Sequence, residues 1–335
     1  MIVLDGPSRP TYPLAIIHPL GPLFRHLPLS LRRHALYLKA HRRIGNFRAP
    51  ERYTEKVAWR ALNDRRAILA VATDKLAGLR YASRFLSADQ PKVQMSRNLW
   101  VGGDLRELQA LSGSLPPRWV LKPNHSSGRV AIVDAPLSAS DWSSLHETAR
   151  RWLVPDEESE VFGNWAYAQA RRLLIAQERF GDRAIMPADI KIFCVKGEVV
   201  RAFWARGYGS GDFHIASFGP DLATRVRHGH PYELPLDSHT EVDELSPETR
   251  HAIIAFAREA SEPFDMIRVD GMIEDDRFQF LELTAYPTNG LSGISAESDR
   301  TLGGIWNLPD LNAPDPREAE WRELLQGVPK GTLQR

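Results

Sequence analysis

The spacing of apolar positions changes along the chain, and each change predicts a different kind of element. From Leu29 to Leu86 the period is mostly helical: Leu36, Leu38, Val57, Trp59, Ala61, Leu62, Ile68 and Leu69 supply apolar faces between charged positions. Near Pro116 it shortens to that of strands, in Trp119-Val-Leu-Lys122 and Arg129-Val-Ala-Ile-Val133. Two helices follow, near Ala139–Leu153 and Asn164–Leu174. Beyond Leu174 the chain reads as hairpins built from Leu174–Glu178, Asp189–Val195 and Glu198–Trp204. A helix near Pro247–Ala260 precedes one last hairpin, and Pro316–Leu325 has the pattern of an amphipathic helix before a frayed end. Residues 1–24, rich in Pro and Gly, predict a surface wrap without regular structure. There is no internal repeat. The prediction is an α+β chain with antiparallel sheets.

The last hairpin carries the sharpest chemistry. Arg268-Val-Asp270-Gly leads through Glu274-Asp-Asp-Arg277 into Phe278-Gln-Phe-Leu-Glu282-Leu-Thr284. A three-residue turn, Asp275 to Arg277, pairs Asp270 directly with Glu282, whereas a two-residue turn puts them on opposite faces. Two adjacent carboxylates repel unless a cation lies between them. Mg²⁺ suits such a pair, because it takes one or two carboxylates and fills its shell with phosphate oxygens and water. The same residues also make an ordinary hairpin with its charges in solvent.

Composition narrows the partners. The 43 Lys and Arg residues balance 42 Asp and Glu, which gives no support to a nucleic-acid or anionic-membrane partner over the whole chain. Arg25 to Arg43, with Arg32, Arg33, Lys39, Arg42, Arg43 and three histidines, reads as a solvated helix face or a local surface patch. The single Cys194 excludes an intramolecular disulfide, fits a reducing compartment, and lies in an apolar run that predicts a buried inert thiol. No stretch approaches the ~18 apolar residues of a membrane span, and Met1–Pro10 lacks a signal-peptide pattern. The expectation is a soluble cytoplasmic protein without stable membrane insertion. Exposed Leu and Trp on long N-terminal helices leave a homodimer open.

Two further segments place cations beside polar loops. In Val120-Leu-Lys122-Pro-Asn-His125-Ser126-Ser127-Gly128 a strand delivers a lysine, and a small polar loop follows. Such loops let backbone N–H groups close over phosphate oxygens, although a plain turn has the same composition. It is not a Walker A loop, since no Gly-Lys-Ser/Thr opens a helix. After Gln177-Glu178-Arg179-Phe180, alternation in Asp189-Ile-Lys191 puts Lys191, Phe193 and Val195 on one face and Ile190, Ile192 and Cys194 on the other. Lys191 there needs an anion or snorkels at a sheet edge. Gly207-Tyr-Gly-Ser-Gly211 has no helix after it, and His228-Gly-His230 lacks partners at zinc spacing, so both read as loops.

In this order the segments resemble the ATP-grasp superfamily, and specifically its TupA-like branch. The resemblance runs from Pro50-Glu-Arg-Tyr-Thr-Glu55 through Thr73-Asp74-Lys75, Leu121–Gly128, Glu178, Asp189–Glu198 and Arg268-Val-Asp270 to Glu282-Leu-Thr284-Ala-Tyr286-Pro287 and Trp306–Pro309. It implies four regions: a mainly helical 1–90, a lid and nucleotide subdomain 91–180, a catalytic subdomain 181–310 and a helical tail 311–335. It implies Mg-ATP held between two α+β subdomains, with Mn²⁺ as an allowed substitute.

The roles implied by the resemblance are specific. Lys122 contacts the α/β-phosphates, and His125, Ser126, Ser127 and Gly128 form a flexible lid over the triphosphate. Gln177, Glu178, Arg179 and Phe180 form the hinge strand along adenine, with Glu178 the side chain that engages nucleotide. Asp189 lies beside the nucleotide, and Lys191 sits at the terminal phosphates. Asp270, Glu282 and Thr284 hold the metal, with Thr284 where many members have asparagine. Arg201 and Arg206 face the second substrate, to which His214 is near. The implied reaction is an ATP-dependent ligation of a carboxylate and an amine through an acylphosphate, on small or polymer-linked acidic substrates. The alternatives are a kinase acting on a sugar hydroxyl and a non-catalytic nucleotide-binding scaffold.

Overall fold

The computed structural model describes residues 2–4, 21–87, 91–154, 157–181, 186–207 and 212–327. Tyr208–Gly211, most of the Pro- and Gly-rich start and the frayed end lie outside the described residues. In chain order the strands are β1 (Ile2–Leu4), β2 (Val93–Met95), β3 (Asn98–Gly102), β4 (Arg118–Pro123), β5 (Ala131–Asp134), β6 (Leu174–Glu178), β7 (Ala188–Val195), β8 (Glu198–Arg206), β9 (His214–Phe218), β10 (Arg225–Val226), β11 (Ile267–Glu274) and β12 (Arg277–Thr284). They form a five-stranded sheet, β1-β5-β4-β6-β3, and a seven-stranded sheet, β10-β9-β8-β7-β11-β12-β2. Every neighbouring pair is antiparallel except β12 with β2.

The five-stranded sheet buries Trp100, Trp119, Leu121, Val133 and Leu174 against the helix Ala139–Trp152. That helix starts where Ser138 accepts the Asp141 N–H and Asp141 accepts the Ser138 N–H, a reciprocal capping box. Trp142, Leu145, Ala149 and Trp152 then share one buried stripe at helical spacing.

The seven-stranded sheet packs its back face, including Ile190, Ile192, Val269, Phe278 and Phe280, on the helix Pro247–Ser261. Ser246 caps this helix, and Pro247 opens it where no donor is needed. The helices Tyr53–Asn63, Ala67–Thr73 and Lys75–Ala82 contribute Ala61, Leu69, Val71, Ala77 and Tyr81 to the same core. The helix Glu318–Gln326 adds Trp321 and Leu324. Among the described residues no helix is long and apolar enough to cross a membrane.

Several boundaries differ from expectation. Ile2–Leu4 is a strand that pairs with β5, not part of an irregular wrap. The segment around Val93 joins the seven-stranded sheet, so the expected 91–180 unit is split at β2. The helix expected over Asn164–Leu174 ends at Gln169, because Leu174 already pairs in β6. β3 and the helix Leu105–Ala110 had no forecast. Cys194 is fully buried, and burial pushes its thiol up to about 12, as an inert core cysteine requires.

Candidate functional site

The β11–β12 hairpin turns on two residues, Asp275 and Asp276, both with positive φ (50° and 54°). This is the twist-matched geometry of a two-residue hairpin. With Glu274 opposite Arg277, that register alone sends Glu282 to the core face beside Phe280. A bulge restores the other parity. Gly271 pairs with Phe280, Asp270 pairs with Glu282, and Leu281 is the extra residue. The two acids are therefore opposite each other as expected, by a two-residue turn plus a bulge instead of a three-residue turn. Gly271 permits it: a Cβ there would stand 2.2 Å from the Phe278 ring and 2.8 Å from the Gln279 carbonyl.

Each acid already has cationic company. Asp270 takes a two-pronged ion pair from Arg268, with Nε–Oδ1 and Nη2–Oδ2 both 2.6 Å. Thr284 Oγ1 donates to Oδ2 of the same carboxylate at 2.9 Å, and all three residues are buried. Glu282 Oε2 lies 3.0 Å from Lys75 Nζ, which also donates to the Ser126 carbonyl at 2.5 Å. Lys75 opens its helix because Asp74 caps it, accepting from Ala77 N–H while Arg171 grips both carboxylate oxygens. Across from them, on β4, Lys122 is half-buried. Burial, then the charge of Lys75, pushes its amine down to about 8, with Glu282 opposing the shift. Lys122 from one sheet, Glu282 from the other and Lys75 from a helix thus share one electrostatic site.

The loop after Lys122 is less free than a lid. Asn124 is fully buried, accepts Leu76 N–H at 2.9 Å and donates to the Arg171 carbonyl at 2.9 Å. His125 and Ser126 are buried with it. Only Ser127, half-buried, and Gly128, exposed with φ 75°, stand out. The expected lid from His125 to Gly128 is corrected to a tip on a fixed base, because the start of the Lys75 helix is hydrogen-bonded to that base.

The residues expected as a hinge follow the end of β6, at Glu178 in one sheet, and β7 begins at Ala188 in the other. Gln177 is buried and donates to Asn98 Oδ1 at 2.7 Å. Glu178 faces outward and pairs with Arg97 at 2.6 Å. Arg179 reaches Asp134 at 3.5 Å, and Phe180 lies beneath the Arg277 guanidinium at 5.6 Å.

On the seven-stranded sheet, Asp189 and Lys191 share one face at 3.4 Å, and Lys191 stands between Phe203 and Asp270. The next row reads Arg201, Phe193, Arg268, Thr284 across four strands. Arg201 and Arg206 do not share a face, which corrects the expectation that both face one substrate. Strand alternation sends Arg206 with Ala202 and Trp204 to the back, where it meets Glu241 at 2.7 Å. His214 pairs with Arg206 in register and with Asp212 at 2.8 Å, away from Lys191.

Lys75, Arg268, His228 and Ser298 had been given no role in the sequence. Lys75 and Arg268 each follow or precede a singled-out acid by one or two positions, a usable signal. His228 and Ser298 reach the site only by folding.

Among the described residues no three His, Cys, Asp or Glu side chains form a self-contained metal cage. Glu282 stands opposite Asp270, whose two oxygens are engaged by Arg268 and Thr284.

No protein-family model and no curated protein sequence matches the chain. Among solved structures it is similar to the ATP-grasp ligase PsnB complexed with minimal precursor, at 11% identity and TM-score 0.37, over 71% of this chain and 60% of that one. It is also similar to D-alanine–D-alanine ligase from Bacillus anthracis complexed with ATP, at 18% identity and TM-score 0.38, over 71% and 67%. A third is phosphoribosylamine–glycine ligase from Thermotoga maritima, at 13% and 0.38, over 67% and 50%. The chain thus spans 60% of the length of the PsnB structure it matches. At these TM-scores the likeness carries no functional weight; the chain's own residues do.

Proposed function

We propose that this protein is an ATP-dependent carboxylate–amine ligase of the ATP-grasp type. The observation that carries the reading is the convergence of Lys75, Lys122 and Glu282 between the two sheets. Two lysines share one carboxylate there, and burial first, then the charge of Lys75, has lowered the proton affinity of Lys122. A polyphosphate supplies the missing charge. When bound, Mg²⁺ would be held by Glu282 and Asp270 and would neutralise charge on the transferred phosphoryl oxygens.

The chain's own residues do the rest. Lys122 and Lys75 bind and orient phosphate oxygens, and Lys191 approaches from the front face of the sheet. Ser127 and Gly128, at the loop tip, close over the phosphates with backbone N–H groups. The γ-phosphoryl group passes to a substrate carboxylate oxygen, ADP leaves, and an acylphosphate forms. An amine then attacks the acyl carbon, the C–O bond to phosphate breaks, and the amine loses a proton as the amide forms. Excluding water protects the acylphosphate.

Hydroxylamine tests this directly. Incubated with Mg-ATP, a panel of small carboxylates and hydroxylamine, the protein is expected to yield ADP, free phosphate and a hydroxamate. A phosphorylated product without free phosphate would make it a kinase, and nucleotide binding without turnover of any panel member would make it a scaffold.

A further inference from the structure

The front face of β8 holds a guanidinium with an unusual set of partners. Arg201 is half-buried, and Nη1 meets His228 Nδ1 at 2.5 Å and donates to Ser298 Oγ at 3.2 Å. Among the described residues neither Nε nor Nη2 has a hydrogen-bond partner, and no carboxylate comes within ion-pair distance. The acid whose charge acts on Arg201 is Glu233, and its oxygens are already taken by the N–H groups of His228 and Gly229 and by Ser217 Oγ. His228 adds no positive charge: burial, then Arg201 and His230, push its imidazole down to about 3. It therefore accepts from Arg201 and fixes the orientation of the fork. The Phe203 ring packs on His228 at 4.5 Å between centroids, walling the site on the side of Lys191.

The arrangement is selective by charge and shape. One cation, its second edge unused and its first held by two neutral groups, matches one planar monoanion. A guanidinium edge offers two parallel donors at carboxylate spacing. A phosphate dianion would remain undercompensated there. Arg201 is also one strand beyond Lys191 and one row along the same face, so an anion on it stands beside the reacting centre without occupying it.

We infer that Arg201, oriented by His228 and Ser298, is a receptor for a carboxylate of the substrate other than the carboxylate or amine that reacts. The substrate class is thus a dicarboxylic acid or an amino acid carrying a spectator carboxylate. This rests on the ligase reading for its place in a reaction, but the binding itself is read without nucleotide.

Calorimetric titration of the full chain with glutarate, with glutaramate (one carboxylate only) and with inorganic phosphate decides it. Glutarate is expected to bind saturably, at least tenfold tighter than glutaramate or phosphate. Arg201→Ala, and Arg201→Lys, which keeps the charge but loses the fork, are each expected to weaken glutarate at least tenfold. Ser298→Ala, a smaller change that guards against a folding defect, is expected to weaken it two- to fivefold. Equal glutarate affinity in wild type and Arg201→Lys overturns the inference, as does phosphate binding in preference or no saturable glutarate binding. Since no nucleotide is present, failure of the ligase reading shows up separately, in the hydroxylamine assay.

Discussion

The two faces of the seven-stranded sheet come from the same strands and obey opposite rules. On the back, Ile190, Ile192, Ala202, Val269 and Leu283 meet the apolar side of the helix Pro247–Ser261 without a charge among them. On the front, Asp189, Lys191, Arg201, Arg268, Asp270 and Glu282 stand in adjacent rows. The back face is what stability asks for, since burying apolar area returns about 25 cal/mol per Å². The front face works against it, because each partly buried charge loses hydration that its partner only partly replaces. A fold that keeps such a face keeps it for chemistry. The bulge at Leu281 shows where the two rules meet, because it moves Glu282 off the apolar face and onto the charged one.

Breaking each face is expected to give different losses. Glu282→Gln should reduce ligation ~10³-fold, the scale of removing one preorganised charge from a transition state, while urea midpoints stay near wild type; unchanged turnover removes Glu282 from the site. Phe256→Ala, on the helix Pro247–Ser261 that covers the back face, should cost about 4 kcal/mol of stability by opening a cavity, seen as a lower urea midpoint with intact activity in the fraction that remains folded. Asp270→Asn removes the charge that faces the buried Arg268 guanidinium in its two-pronged ion pair and should cost about 3 kcal/mol, which a combined Asp270→Asn, Arg268→Met variant should partly restore.

Lys122 sharpens the comparison through pH. Its folded value near 8 lies below the about 10.4 of an unfolded lysine. Between those values the unfolded chain binds more protons, so stability of the nucleotide-free protein should rise with pH across that window. Over the same window nucleotide affinity should fall as the amine loses its charge. Lys122→Met should flatten both profiles. Smallest of all, Arg97→Ala removes an exposed partner of Glu178 and should change stability by less than about 0.5 kcal/mol.

Much of this was legible in the residues. Alternation placed Ile190, Ile192 and Cys194 on the buried face, and the apolar pattern marked the helices near Ala139–Leu153 and Pro247–Ala260, whose caps Ser138 and Ser246 the structure adds. The pairing of Asp270 with Glu282 was read correctly but for the wrong reason, since a bulge leaves no mark in a hydrophobic pattern beyond an unremarkable Gly271. The fixed base of the 124–126 loop was illegible because its partners, Leu76 and Arg171, lie about fifty residues away on either side. Arg201 and Arg206 were both expected to face a second substrate, although they are five positions apart on one strand, where period two already puts them on opposite faces. His228 and Ser298 meet Arg201 from 27 and 97 residues further along the chain, a juxtaposition that no local pattern encodes.

The most direct test of the account is the affinity of Mg-ATP for wild type and for Lys122→Met, measured beside the affinity of adenosine. A charge cluster built for polyphosphate predicts that the variant loses at least tenfold toward Mg-ATP while adenosine binds both proteins alike. Equal Mg-ATP affinity in the two proteins would contradict it, leaving Lys75, Lys122 and Glu282 as a structural ion cluster between two sheets.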